Sequence, residues 1–206
     1  RLDFKETLGP FHIQLEIVSY DNYDFITLEG FLTNDSNTIQ EIQYFSPLEV
    51  LASKGGAIAL TKNLNDTVVF ENGLGFAFEF FMRSFNASEE SESSMMEFLY
   101  DKNDMGNNAL FGILSLPEYL SEVVSNDEEE KGVQVENKES IAEFRIQSYF
   151  PFPKRITPGT SISSGVWIVQ LDSRTGFEAL ENYANLIAKY NNIRLWPHEI
   201  PHGWNS

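Results

Sequence analysis

The chain has 206 residues, with 31 Asp plus Glu against 14 Lys plus Arg and a formal net charge of -17, a balance that repels phosphate backbones and anionic headgroups and argues against nucleic-acid or membrane-surface partners. Hydrophobic residues make up 42% and Phe alone supplies 17 positions, so there is apolar mass for one large folded domain and wholesale disorder is excluded. Absence of cysteine excludes disulfides, thiolate metal sites and a cysteine nucleophile, and no apolar run approaches the roughly 18 residues of a membrane span.

The chain opens on Arg1, with no basic, apolar and small-residue pattern of a secretory signal behind it. That reads as a processed or excised piece and favours a cytoplasmic location. Phe11, Ile13, Leu15 and Ile17 alternate with His12, Gln14 and Glu16, the period of a half-buried strand. In residues 25–33, Ile26, Leu28 and Leu32 face one way, and Asn34, Asp35, Ser36 and Asn37 supply a turn before a third run over 39–45. A meander of neighbouring strands is expected here. Residues 74–85 are strongly aromatic and read as a strand with one face in a deep core, with Glu79 and Arg83 on its wetter side. The polar stretches 86–94 and 125–131 lack periodicity and read as exposed loops.

Strand period returns in 110–116, 133–135, 141–150 (Ala142, Phe144, Ile146 and Phe150 on one face) and 165–171 (Trp167, Val169 and Leu171). About ten strands therefore precede residue 172. The pattern then changes to that of a helix. Thr175 and Glu178 have capping-box spacing, and Phe177, Leu180, Ala184 and Ile187, with Tyr183 and Tyr190, form an apolar face that ends at Asn191 and Asn192. Residues 197–206, with Pro197 and Pro201, read as the start of a new element.

Chemistry-bearing motifs are sparse. His12, His198 and His202 are too few and too scattered for zinc, and no cofactor is expected. Residues 101–106 begin like a calcium loop, but Met105 fills the fifth position and Gly112 the closing one, so a turn is expected. No nucleophile elbow, phosphate-binding loop or dinucleotide fingerprint is present. Glycoside hydrolysis needs two carboxylates about 5 to 9.5 Å apart, but sequence alone selects no pair. Glu89, Glu90, Glu92 and Glu128 to Glu130 read as solvated charges.

Three segments carry a resemblance. Gly165-Val-Trp-Ile-Val-Gln-Leu-Asp172, Phe177-Glu-Ala-Leu-Glu-Asn-Tyr-Ala184 and Ile200-Pro-His-Gly-Trp-Asn-Ser206 resemble the passage from the β domain into the catalytic barrel of α-galactosidases and raffinose-synthase-like proteins of glycoside hydrolase family 36. Leu28-Glu-Gly-Phe-Leu-Thr-Asn34 and Asn72-Gly73 are weaker echoes of the same family. The resemblance implies a mainly β fold, a β-supersandwich of the galactose-mutarotase-like two-sheet kind. One C-terminal helix would lead into a catalytic (β/α)8 barrel that is missing here. It divides the chain into a sandwich over 1–172, a helix and connector over 173–196 and the start of the barrel over 197–206.

By the same resemblance the parent cleaves terminal α-galactosides by a retaining mechanism whose two carboxylates lie downstream, and residues 1–206 alone are inactive. No catalytic residue, metal or cofactor falls in this chain. Asn72 and Trp204 are the substrate-binding positions that it implies, and the partners are the missing catalytic domain, the galactoside and a second copy in a homo-oligomer. Family members often read Asn-Gly-Tyr-Gln-Ser-Trp where this chain has Asn72-Gly-Leu-Gly-Phe-Ala77, so an aromatic of that loop is absent. Two rival readings are a stand-alone carbohydrate-binding sandwich, which exposed coplanar aromatics would mark, and a structural adhesin-like domain.

Overall fold

In the computed structural model, which describes residues 2–3, 8–72, 80–85, 91–115, 120–126, 138–172 and 175–193, the strand-period runs pair as antiparallel ladders. They are β1 (Leu2–Asp3), β2 (Phe11–Ser19), β3 (Phe25–Asn34), β4 (Gln40–Leu51), β5 (Thr67–Asn72), β6 (Phe80–Ser84), β7 (Ser91–Ser94), β8 (Met96–Asp101), β9 (Asp104–Ile113), β10 (Leu120–Asn126), β11 (Glu143–Ile156) and β12 (Ser161–Asp172). One helix, α1 (Gly176–Tyr190), follows. An eight-stranded sheet has the order β1-β2-β3-β12-β9-β8-β5-β6, and a four-stranded sheet the order β4-β11-β10-β7. The protein is a two-sheet, mainly β sandwich with one long helix among the described residues.

The inward faces meet in a core of Leu28, Val69, Leu99, Phe111, Ile113, Val123, Phe144, Ile146 and Trp167. Phe111 from one sheet and Phe144 from the other place their ring centroids 4.2 Å apart, a tilted pair that locks the layers. Trp167 is fully buried, with its indole N–H donating to Ser164 O at 3.0 Å, and Val169 packs on the core, but Leu171, expected on the same face, is 65% exposed where the strand leaves the core.

The third expected strand does not continue the meander. β3 pairs with β2 and β12, whereas β4 pairs with β11 in the other sheet. Asn34 holds this crossing. It is inaccessible to solvent, its amide donates to Thr38 O and Ile156 O at 2.8 Å, and its oxygen accepts from the Ser36 N–H and hydroxyl. A carboxamide that satisfies four groups at once can be buried at a corner without penalty.

The two polar stretches are corrected where they are described, at 91–94 and 125–126, while 86–90 and 127–131 lie outside the described residues. Ser91–Ser94 is a strand, β7, paired with β10, and Ser125 and Asn126 end β10 itself. Ser93 and Ser125 are both inaccessible because each hydroxyl has a buried partner, Ser93 donating to Met96 O and Ser125 to Glu97 Oε1. Composition marks such residues as loop, but hydrogen bonding allows them inside. β5 and β8 escaped the period-two reading because they are covered on both sides: the core lies below, and Phe98 and Met96 face the helix above. The turn expected over 101–106 is present, with Asn103 N–H bonded to Asp101 and Gly106 N–H to Asp104. The expected strand over 133–135 and residues 73–79 fall outside the described residues, as do Trp196, His198, His202 and Trp204.

α1 begins where expected. Glu178 accepts from the Thr175 N–H at 3.0 Å and its hydroxyl at 2.9 Å, and Asn191 and Asn192 end the helix, the latter with a positive φ of 49°. Its docked face keeps Tyr183, Leu180 and Ile187 of the expected one but is shifted toward Gly176 and Ala179. Gly176, Ala179 and Tyr183 are buried, whereas Phe177 is 73% exposed and Ala184 faces solvent. Small residues decide this, because a Cβ on Gly176 would sit 2.9 Å from the Phe98 ring. Close approach on the glycine side therefore turns Phe177 outward.

Candidate functional site

β5, β7 and β8 converge at one end of the sandwich, and the polar side chains they carry there form the site around Asn72. Asn72 closes β5 and is half-buried. Its backbone N–H donates to Ser93 Oγ at 2.7 Å and its carboxamide donates to Ser94 O at 3.0 Å. Between Ser94 and β8, Met95 takes a φ of 66°, the left-handed region that a residue with a Cβ adopts only under restraint. That residue is the corner where the chain passes from the four-stranded to the eight-stranded sheet.

Glu71 lies one residue before Asn72 and faces Glu97 directly across the β5–β8 ladder. Two carboxylates opposite one another repel unless each is compensated. Arg83 supplies one compensation, with Nη2 at 2.9 Å and Nε at 3.1 Å from Glu71 Oε1. The Ser125 hydroxyl supplies the other, donating to Glu97 Oε1 at 3.0 Å. Arg83 was expected on the wetter face; its side chain is 28% exposed and its head turns inward to the ion pair. Neither Glu71 nor Glu97 stands out in the sequence. An acidic residue inside the apolar run Thr67-Val-Val-Phe-Glu71 was the signal that could have found the first.

Glu97 is inaccessible and Glu71 is 6% exposed, so the pair ties strands together and does not reach a substrate. Arg83→Leu removes the ion pair of buried Glu71 and is expected to cost about 2 kcal/mol of stability. Urea unfolding reads the loss, and an unchanged midpoint would mean that water already solvates Glu71. Among the described residues no group of three or more His, Cys, Asp or Glu is placed to hold a metal ion.

Two other surfaces bear on carbohydrate binding. A cavity of about 590 Å³ opens between the sheets, bordered by Leu48, Val50, Leu60, Phe111 and Val169, and no carboxylate lines it. Tyr20 and Tyr23 are exposed at the β2–β3 turn, but their rings meet edge to face at 86°. They form a corner and not the flat platform that stacks on a sugar face. Trp204, the second substrate-binding position expected from the sequence, lies outside the described residues, so no distance to Asn72 is given by the structure.

No protein-family model matches the chain, and no curated protein sequence does. Solved structures do match. A variant of the α-galactosidase AgaA of Geobacillus stearothermophilus in complex with 1-deoxygalactonojirimycin is similar with a TM-score of 0.52 and 10% identity, over 81% of this chain and 22% of that one. Another variant of the same enzyme, in complex with raffinose, gives 0.52 and 11% over 90% of this chain and 24% of that one. The α-galactosidase AgaB of the same organism gives 0.51 and 10% over 81% and 22%. The shared feature is a fold. It is the fold of a domain in glycoside hydrolase family 36 chains. The chain spans less than a quarter of the length of each, and at such identities the likeness extends to architecture alone.

Proposed function

We propose that this chain is the non-catalytic β domain of an α-galactosidase-like glycoside hydrolase. Its parent would cleave terminal α-galactosides with retention, through two carboxylates carried downstream on a (β/α)8 barrel. The observation that carries this reading is the match of 81% to 90% of the chain to α-galactosidase structures. Supporting it, the facing carboxylates nearest Asn72 are buried and engaged with Arg83 and Ser125, so neither is available as a nucleophile or an acid.

In this reading the domain packs against the barrel and forms one wall of the galactose site. Asn72 reaches the substrate from the end of β5 and Trp204 from the first barrel strand. The parent is a carbohydrate-binding protein with no metal or cofactor requirement, and homo-oligomerisation is part of the same proposal. The anomer released first tests the reading. Proton NMR of the parent polypeptide acting on an aryl α-galactoside is expected to show α-galactose appearing before mutarotation, and initial release of β-galactose would overturn the retaining mechanism. The acidic surface leads to one more expectation. At physiological salt the domain should pass through immobilised DNA without retention, and binding there would contradict the assignment of its partners.

A further inference from the structure

We propose that α1 is a latch that sets the position of Asn72, with Tyr183 as the positioning residue. The inference rests on the reading that the β5 end faces substrate, but the latch itself is a property of the fold. Tyr183 lies against Gly112, where a Cβ would come within 2.6 Å of its ring and hydroxyl. Its hydroxyl donates to Ile113 O at 2.8 Å and lies 3.4 Å from Met95 O. Burial pushes the phenol above its ordinary range, so it stays a neutral donor at working pH.

From that hydroxyl one set of hydrogen bonds reaches Met95, a second set ties Asn72 to Ser93, Ser94 and Met96, and the backbone through Met95 joins the two. The Ile113 N–H donates to Met95 O at 2.9 Å, and the Met95 N–H donates to Ser121 O at 2.7 Å. Two residues earlier, the Ser93 hydroxyl donates to Met96 O and accepts from the Asn72 N–H, while the Asn72 carboxamide donates to Ser94 O. The two sets meet at Met95, whose positive φ survives only while its neighbours hold it. The latch is separable from the sandwich. Its buried contacts are Gly176, Ala179 and Tyr183, with Leu180, Leu186 and Ile187 at the margin. A single helix held by this cluster and by hydrogen bonds from Asn182 to Gln170 and from Asn191 to Leu114 O opens locally more easily than the core between the sheets.

Amide hydrogen exchange on the chain of residues 1–206, read by NMR, tests the latch without any ligand. In Tyr183→Phe, exchange at Met95, Ile113 and Asn72 is expected to rise about tenfold, the effect of losing one buried hydrogen bond, while Val69, Leu99 and Trp167 keep their protection. Ala179→Glu forces a carboxylate into the buried cluster that holds Phe98 and Tyr183 and is expected to raise exchange at the same three amides together with α1. If α1 exchanges faster in either variant while Asn72 does not, the latch is overturned. If only Ala179→Glu releases Asn72, the positioning role of Tyr183 is overturned. A separate arm addresses the substrate wall: raffinose added to the parent polypeptide should shift the Asn72 carboxamide resonances. No shift there, with the exchange results as expected, would sink the wall and leave the latch standing.

Discussion

Trp167→Ala is expected to cost about 4 kcal/mol, close to the upper end for emptying a buried aromatic site. The indole is wholly inaccessible, sits opposite Leu28 on one neighbouring strand and Ile113 on the other, and belongs to the cluster that joins both sheets. Removing it leaves a cavity that buried neighbours such as Leu28 and Ile113 cannot collapse to fill, and it leaves Ser164 O without the indole N–H. Urea unfolding should show a lower midpoint with an unchanged slope. A loss under about 1 kcal/mol would mean that the sheets are not held together at this strand.

Gly112→Ala is the second large expectation, and it acts on the helix. The added methyl would lie 2.6 Å from the Tyr183 ring and hydroxyl, inside any permitted contact, and the ring is buried in one cluster with Ala179 and Leu114. Overpacking of this kind costs about 1 to 3 kcal/mol. Because the strain falls between α1 and the helix-facing side of β9, whereas Phe111 and Ile113 on either side of Gly112 belong to the inter-sheet core, unfolding is expected to split. Helix signal at 222 nm should be lost before the near-ultraviolet signal of the buried Trp167. One coincident transition at the wild-type midpoint would contradict the docking geometry.

The architecture was legible in the sequence wherever one face of a strand is wet. The alternation from Phe11 to Ile17 and the run ending at Leu171 both fall in observed strands, and the capping residues Thr175 and Glu178 mark the start of the helix. Strands covered on both sides carry no such alternation. Met96-Glu-Phe-Leu-Tyr-Asp101 hides Glu97 on the core side and Phe98 under the helix, so β8 had no period to read. Serine misled for a related reason. Ser93 and Ser125 have the composition of loops, yet each hydroxyl is satisfied by a partner distant in sequence or held by a corner.

The shift in the docked face of α1 was illegible because it depends on the absence of side chains. Gly176 and Gly112 permit an approach that the apolar count alone, dominated by Phe177, points the other way. At the candidate site, Asn72 drew attention only through the family resemblance, and its bonds to Ser93 and Ser94 depend on a sheet crossing that no local pattern encodes. The ion pair of Arg83 and Glu71 is likewise a cross-strand contact between β5 and β6, visible only once Val69 is found opposite Arg83.

Hydrolysis of an aryl α-galactoside, compared between residues 1–206 and the parent polypeptide that carries the barrel, bears most directly on the assignment as a non-catalytic domain. The parent should release the phenol and residues 1–206 should release none at any concentration. Turnover by residues 1–206 alone would contradict the assignment and move the search for a carboxylate pair into the sandwich.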